Sequence, residues 1–147
     1  MFKVCYTDYR EESRWSKRKS DEWKNGYSDN RGFHLTFDNH VTVSVQWGAG
    51  NYCSNKRYMF PEHREEHIPD DSMTAEVAVW VNTASEWKDQ FITHKALYRI
   101  KEITKKEMND IDSGRHDVGS HLNADKVGAI IDWARKYKLT DKEKELM

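Results

Sequence analysis

The chain has 147 residues, a formal net charge of −1 and a charged fraction of 33% with both signs interspersed. That balance excludes a global field that would draw the protein to nucleic acid or to an anionic membrane, so any such partner needs a local patch. Leu, Ile, Val and Phe supply only 26 residues, but 18 aromatics, six of them Trp, offer the large apolar areas from which a core can be built.

The length fits a single domain over 1–147, which buries roughly two thirds of the surface its unfolded chain exposes. No run approaches the roughly 18 consecutive apolar residues of a membrane span. The first residues, MFKVCYTDYREE, lack the basic start and apolar stretch of a signal peptide, so a cytoplasmic location and no membrane partner are expected. Cys5 and Cys53 stand 48 positions apart without CxxC spacing, and in a reducing compartment both are expected as buried thiols. Pairing would require them on neighbouring strands.

In chain order, FKVCYTDY is a strand candidate. Residues 10–30 form a charged insertion with Trp15 and Trp23, compatible with a short surface helix or a long loop. Its Lys17, Arg18 and Lys19, with Arg10, Arg14 and Trp15, have the mix of cation and aromatic used on single-stranded nucleic acid. Glu11, Glu12, Asp21 and Glu22 offset it, so a solvated mixed-charge face is expected rather than a nucleic-acid site.

In FHLTFDNHVTVSVQW, Phe33, Leu35 and Phe37 alternate with polar residues, and Val41, Val43, Val45 and Trp47 do the same. This predicts a hairpin with one buried face. Only an odd-membered loop, Asp38-Asn39-His40, places Phe37 opposite Val41 and keeps both apolar sets together, with Asn39 or His40 near the left-handed region.

The next stretch, WGAGNYCSNKR, is the best site candidate. Gly48 and Gly50 permit backbone that points successive N–H groups inward, while Asn51, Ser54 and Asn55 add small donors and acceptors around Tyr52. Lys56 and Arg57 supply positive charge, so Trp47, Gly48, Gly50, Asn51, Tyr52, Asn55, Lys56 and Arg57 together could hold an anion, a nucleotide or an acidic peptide. The alternative is structural: the glycines let the chain leave a twisted sheet edge, with Tyr52 and Cys53 turned into the core. Cys53 with His40 or His63 could also be a nucleophile, but no elbow or signature surrounds it, and a small partly buried thiol is preferred.

A polar loop follows over 54–74. Within it His63-Arg64-Glu65-Glu66-His67 fits H-x-x-E-H, in which His63 and His67 on one helical face would bind zinc and the Glu would act on a bound water. Pro61 and Pro69 leave room for about two turns and almost no apolar positions to dock them, so a solvated acidic loop is the expected state.

Residues 75–82, AEVAVWVN, alternate Val77, Val79 and Val81 with Glu76, Ala78 and Trp80, the pattern of an interior strand. TASEWKDQFI reads as a turn and a short strand around Trp87 to Ile92. SGRHDVGSH is expected as a loop in which His116 and His121 either join Asp117 at a metal or lie on the surface. In NADKVGAIIDWARKYK, Val127, Ile130, Ile131, Ala134 and Tyr137 fall at helical spacing behind an Asn123 N-cap and Asp125 in the first turn, which predicts a helix that covers the sheet. Finally TDKE, Thr140 to Glu143, is a capping-box pattern that opens a short last helix with few apolar residues to anchor it.

The run FDNHVTVSVQWGAGNYCSNKR, followed some 20 residues later by AEVAVWVNTASEW, resembles small uncharacterised bacteriophage-encoded proteins. Those combine a strand, a G-x-G-N-Y-C-x-N loop, a strand of the type A-E-x-A-x-W and a C-terminal helix. The likeness covers residues 33–92 and the helix from Asn123, but neither the charged insertion nor HREEH. It implies a phage accessory protein in the host bacterial cytoplasm that binds a host or anti-phage defence component.

Taken together, the expectation is an α+β fold, an antiparallel sheet of four to six strands covered by a C-terminal amphipathic helix. The protein is expected to act by binding, without a cofactor, on a host or defence protein or a small nucleotide signal; homo-oligomerisation stays open. The alternative is a small metal-dependent hydrolase that uses His63 and His67.

Overall fold

The fold was analysed in a computed structural model, which describes residues 3–6, 31–48, 50–63, 71–84, 90–110 and 117–147. The charged insertion at 10–30, Arg64 to Asp70, Trp87 and His116 lie outside the described residues. Among the described residues, six strands form one antiparallel sheet. Strands β1 (Lys3–Tyr6), β2 (Gly32–Thr36), β3 (Val41–Gln46) and β4 (Ala75–Val81) are adjacent in that order. The far edge of β4 is shared by β5 (Gln90–Phe91), opposite Trp80 and Val81, and β6 (Gly119–Leu122), opposite Ala75 and Val77. Among the described residues, four α-helices complete the fold: α1 (Thr93–Arg99), α2 (Lys105–Asn109), α3 (Ala124–Lys136) and α4 (Asp141–Glu145). Among the described residues, no helix is long and apolar enough to cross a membrane.

The hairpin follows from its parity. Thr36 faces Thr42, and the Phe37 N–H donates to the Val41 carbonyl at 2.9 Å across a three-residue loop. His40 takes the left-handed residue at φ 61°, the conformation that ends such a loop. Phe33, Leu35 and Phe37 thereby share a face with Val45, Val43 and Val41, and the register carries that face on to Val77, Val79 and Val81. The six valines on β3 and β4 are buried. Fully burying such a side chain contributes roughly 1.5–3 kcal/mol, so this stripe is the main stabilising element.

Helix α3 covers that face. Asn123 caps it by accepting from the Lys126 N–H at 3.0 Å, and Ile130 and Ala134 bury completely against the strands, with Val127, Ile131 and Trp133 packed beside them. Its other end is closed from the hairpin. Asn39 Nδ2 donates to the carbonyls of Ala134 and Tyr137, both at 2.9 Å, satisfying acceptors that a helix C-terminus leaves open. The same three-residue loop that sets the register therefore also docks the helix.

The edge of β4 departs from the sequence reading. Of the strand expected around Trp87 to Ile92, Gln90–Phe91 forms β5 and 87–89 lie outside the described residues, while Ile92 is the N-cap of α1 rather than a strand residue. Thr93 fills the gap between β5 and β6: its buried Oγ1 accepts from the Val79 N–H at 2.8 Å and lies 2.8 Å from the Asp117 carbonyl. A helical side chain here does the work of a missing strand residue. Likewise Gly119–Leu122, expected as loop, is strand β6, and His121 lies in it at φ 53°. A bulge between Ala75 and Val77 accompanies that irregular pairing.

Candidate functional site

The loop after β3 is built from its own polar groups. The Asn51 N–H donates to the Gly48 carbonyl at 3.1 Å, and Asn51 Oδ1 accepts from the Gly48 N–H at 3.1 Å. Cys53 Sγ donates to the same Gly48 carbonyl at 3.3 Å. Asn55 Nδ2 reaches the Trp47 carbonyl at 2.9 Å and the Asp71 carbonyl at 3.0 Å, joining both ends of the segment. Gly48, Asn51, Cys53 and Asn55 are all buried, so these bonds are shielded from water and removing one leaves an unsatisfied buried group.

Could this loop cradle an anion? The N–H groups of Gly48, Asn51, Cys53 and Lys56 all donate within the loop, and that of Ser54 donates to Thr74 Oγ1 at 2.8 Å. A carboxylate from the chain itself takes another: Glu76 on β4 accepts from the Tyr52 N–H at 2.9 Å and from Asn51 Nδ2 at 3.3 Å. Alternation along β4 marks Glu76 only as a polar position. The register that sets it beneath the loop is visible only once the strands pair.

What the loop turns outward is different. Tyr52, which the structural reading places in the core beside Cys53, is 50% exposed, and only Cys53 is buried. Lys56 Nζ stands 4.0 Å above the Tyr52 ring, a cation–π contact that orders both side chains. Arg57 donates to the Tyr58 hydroxyl at 2.7 Å, and Tyr58 is buried. Gly50 lies in the turn and is partly exposed. Phe60 is 50% exposed and Met73, next to the Thr74 that binds Ser54, is 84% exposed. The loop is fastened to β6 as well, since the His121 N–H donates to the Tyr52 carbonyl at 2.8 Å.

Among the described residues, the other sequence candidates are not drawn together. His63 ends a three-residue 3-10 turn, Pro61–His63, with its ring 6.4 Å from that of Tyr58; His67 lies outside the described residues. Among the described residues, no three His, Cys, Asp or Glu side chains converge as a metal site. Cys53 is a free, buried thiol engaged by Gly48.

Two clusters escaped sequence reasoning. On the sheet face away from α3, the His34 and Trp80 rings meet edge to face at 5.5 Å across β3, and Phe91 continues the row 6.0 Å from Trp80. The register places Thr42 and Ser44 beneath these rings, and both are buried. Burial lowers the pKa of His34, so it stays neutral there. The second cluster joins three helical segments. Lys95 on α1 donates to Glu143 on α4 at 2.8 Å and to the Tyr137 hydroxyl at 2.7 Å; that hydroxyl lies 3.0 Å from the same carboxylate.

Burial alone would raise the Glu143 carboxyl, but hydrogen bonds from Lys95 and Thr140 hold it below its ordinary value. Burial would likewise lower Lys95, and its bonds to Glu143 and Tyr137 hold it above. Burial raises the Tyr137 phenol, keeping it protonated. A fully charged pair beside a neutral phenol has no group poised to exchange a proton near neutral pH. The cluster is a clasp. It replaces the apolar anchor that TDKE lacks: Glu143 is 1% exposed while the other α4 residues are exposed.

No protein-family model matches this chain, and no curated protein or solved structure does either.

Proposed function

We propose that this protein acts by binding and occluding another protein through the outward side of the Gly48–Arg57 loop. The observation that carries this reading is the division of labour within the loop. The N–H groups of Gly48, Asn51, Tyr52, Cys53, Ser54 and Lys56 and the two asparagine side chains are engaged within the chain, while Tyr52 is exposed, as are Phe60 just after the loop and Met73 beside the Thr74 that binds Ser54. Aromatic, Met and Arg side chains on a preformed support are the composition of protein interface centres. Sequestration of a nucleotide in this loop is the less favoured form of binding, because the Glu76 carboxylate already occupies the Tyr52 N–H and the Asn51 side-chain amide and would repel a phosphate there.

The likeness of residues 33–92 to small phage-encoded proteins supports a host or anti-phage defence component as the partner. Capture from lysates of infected bacteria, with mass spectrometry, tests this when wild type is run beside a Tyr52→Ala, Phe60→Ala double variant. A partner bound by wild type and weakened about 30-fold or more by the double variant is the expected result. Equal retention of every captured protein by both would overturn the assignment of the surface.

A further inference from the structure

Two tethers set α1 against α3. Lys95 near the start of α1 holds Tyr137 past the end of α3, and Glu102 just beyond α1 pairs with Lys126 near the start of α3 at 2.7 Å. The two segments therefore run antiparallel, and between them lies an open groove of about 790 Å³. It follows α3 from Asp125 to Lys136, roughly 17 Å at the helical rise, and continues to Lys138 just beyond it. Ile100, Trp133 and Tyr137 give it an apolar aromatic side, the last two with ring centroids 4.8 Å apart.

Most of the charges lining it have employment. Asp132 is held by Lys136 at 2.7 Å and Arg135 at 3.0 Å, Lys126 by Glu102, and Asp125 sits in the first turn of α3, where the helix dipole favours an acid. Arg99 and Lys138 differ. Among the described residues neither has an ion-pair partner, and neither is needed to cap a helix. The last carbonyls of α1 are taken by backbone N–H groups: Lys101, at φ 63°, donates to Tyr98 at 3.0 Å and Glu102 to Leu97 at 2.9 Å. Those at the end of α3 are taken by Asn39. Two exposed cations therefore border a groove with an aromatic wall and have no ion-pair partner among the described residues.

We propose that this groove binds a nucleoside phosphate, with the base against Trp133 and the phosphates between Arg99 and Lys138. A planar ring with a polyanionic tail matches both halves of the lining. Aromatic faces stack any base, and guanidinium and ammonium groups form charge-assisted hydrogen bonds to phosphate oxygens. The volume falls within the roughly 300–1,000 Å³ of small-molecule sites. This site is separate from the Gly48–Arg57 loop and does not depend on its partner.

Titration calorimetry at low ionic strength with ATP, adenosine and inorganic tripolyphosphate tests it. Wild type is expected to bind ATP one to one, and more tightly than either fragment. The exposed double reversal Arg99→Glu, Lys138→Glu should weaken ATP about 100-fold, about tenfold for each charge-assisted contact removed, while Lys144→Glu on α4 leaves it unchanged. Trp133→Phe keeps a ring and should retain most of the affinity. The proposal is overturned if ATP fails to bind, or if the double reversal binds it as wild type does. Tripolyphosphate or adenosine binding as tightly as ATP would overturn it too, as would a poly-glutamate peptide that displaces ATP and binds more tightly.

Discussion

Replacing Glu143 by Gln keeps the shape of the side chain and removes its charge, so it isolates the clasp on α4. The native carboxylate is 1% exposed and accepts from Lys95 at 2.8 Å, the Tyr137 hydroxyl at 3.0 Å and the Thr140 N–H at 2.7 Å. An amide has one acceptor oxygen and turns an NH₂ group toward those donors, leaving at least one unsatisfied. Removing one partner of a fully buried pair costs about 3–5 kcal/mol. Lys95 is 32% exposed and regains hydration, so the expected loss is about 2 kcal/mol, or roughly 5–10 °C in Tm for a chain of this size. Urea unfolding followed by Trp fluorescence measures it. The carboxyl lies below its ordinary value of 4.5 in the folded state. Its contribution is therefore present above that value and is lost as pH falls through the lower folded value. The gap between wild type and Glu143→Gln should thus be full near neutral pH and close in acid. Equal stability at neutral pH, or a gap that persists unchanged to about pH 3, would refute the reasoning.

Further substitutions probe the frame that positions both surfaces. Gly32→Ala places a Cβ against the backbone carbonyl oxygen of Val45, which cannot yield without breaking the β2–β3 ladder; a loss of about 3 kcal/mol or more in chemical denaturation is expected. Asn39→Ala uncovers the carbonyls of Ala134 and Tyr137 and should cost about 1–2 kcal/mol, with faster amide exchange in the last turn of α3. Lys101→Gly relieves a non-glycine residue at φ 63° in the turn that ends α1 and should raise stability by about 0.5–1 kcal/mol in the same assay.

Legibility tracked how local the determining interaction is. The alternation from Phe33 to Trp47 sufficed to place two strands, their shared face and a left-handed residue in the loop, since each depends on neighbours in sequence. The Asn123 cap and the stripe from Val127 to Ala134 did the same for α3. Thr104 to Glu107 repeats the capping-box pattern of Thr140 to Glu143, so the start of α2 was equally readable. By contrast α1 has no side-chain cap at Ile92, and its Thr93 faces the sheet rather than its own helix end. Nothing in THKALYR alone signals that. Strand β6 is short and bulged and holds His121 at positive φ, which erases the alternation that would have marked it.

The candidate loop shows the same boundary. Its glycines, asparagines and tyrosine identified a compact segment at the exit of β3, because backbone freedom and short polar side chains are properties of the residues themselves. Whether its N–H groups face a ligand or the chain depended on Glu76, 25 positions after Asn51, which only the β3–β4 register brings beneath it. Glu143 could be read as the last member of a capping box, yet its deep burial depends on Lys95, 48 positions earlier on a helix that Thr93 anchors to β4. Sequence by itself determined periodicity, caps and turns, whose energies come from adjacent residues. Tertiary structure alone decided which polar groups meet, which cations are left without partners and which aromatics face water, because those outcomes require distant segments to be packed first.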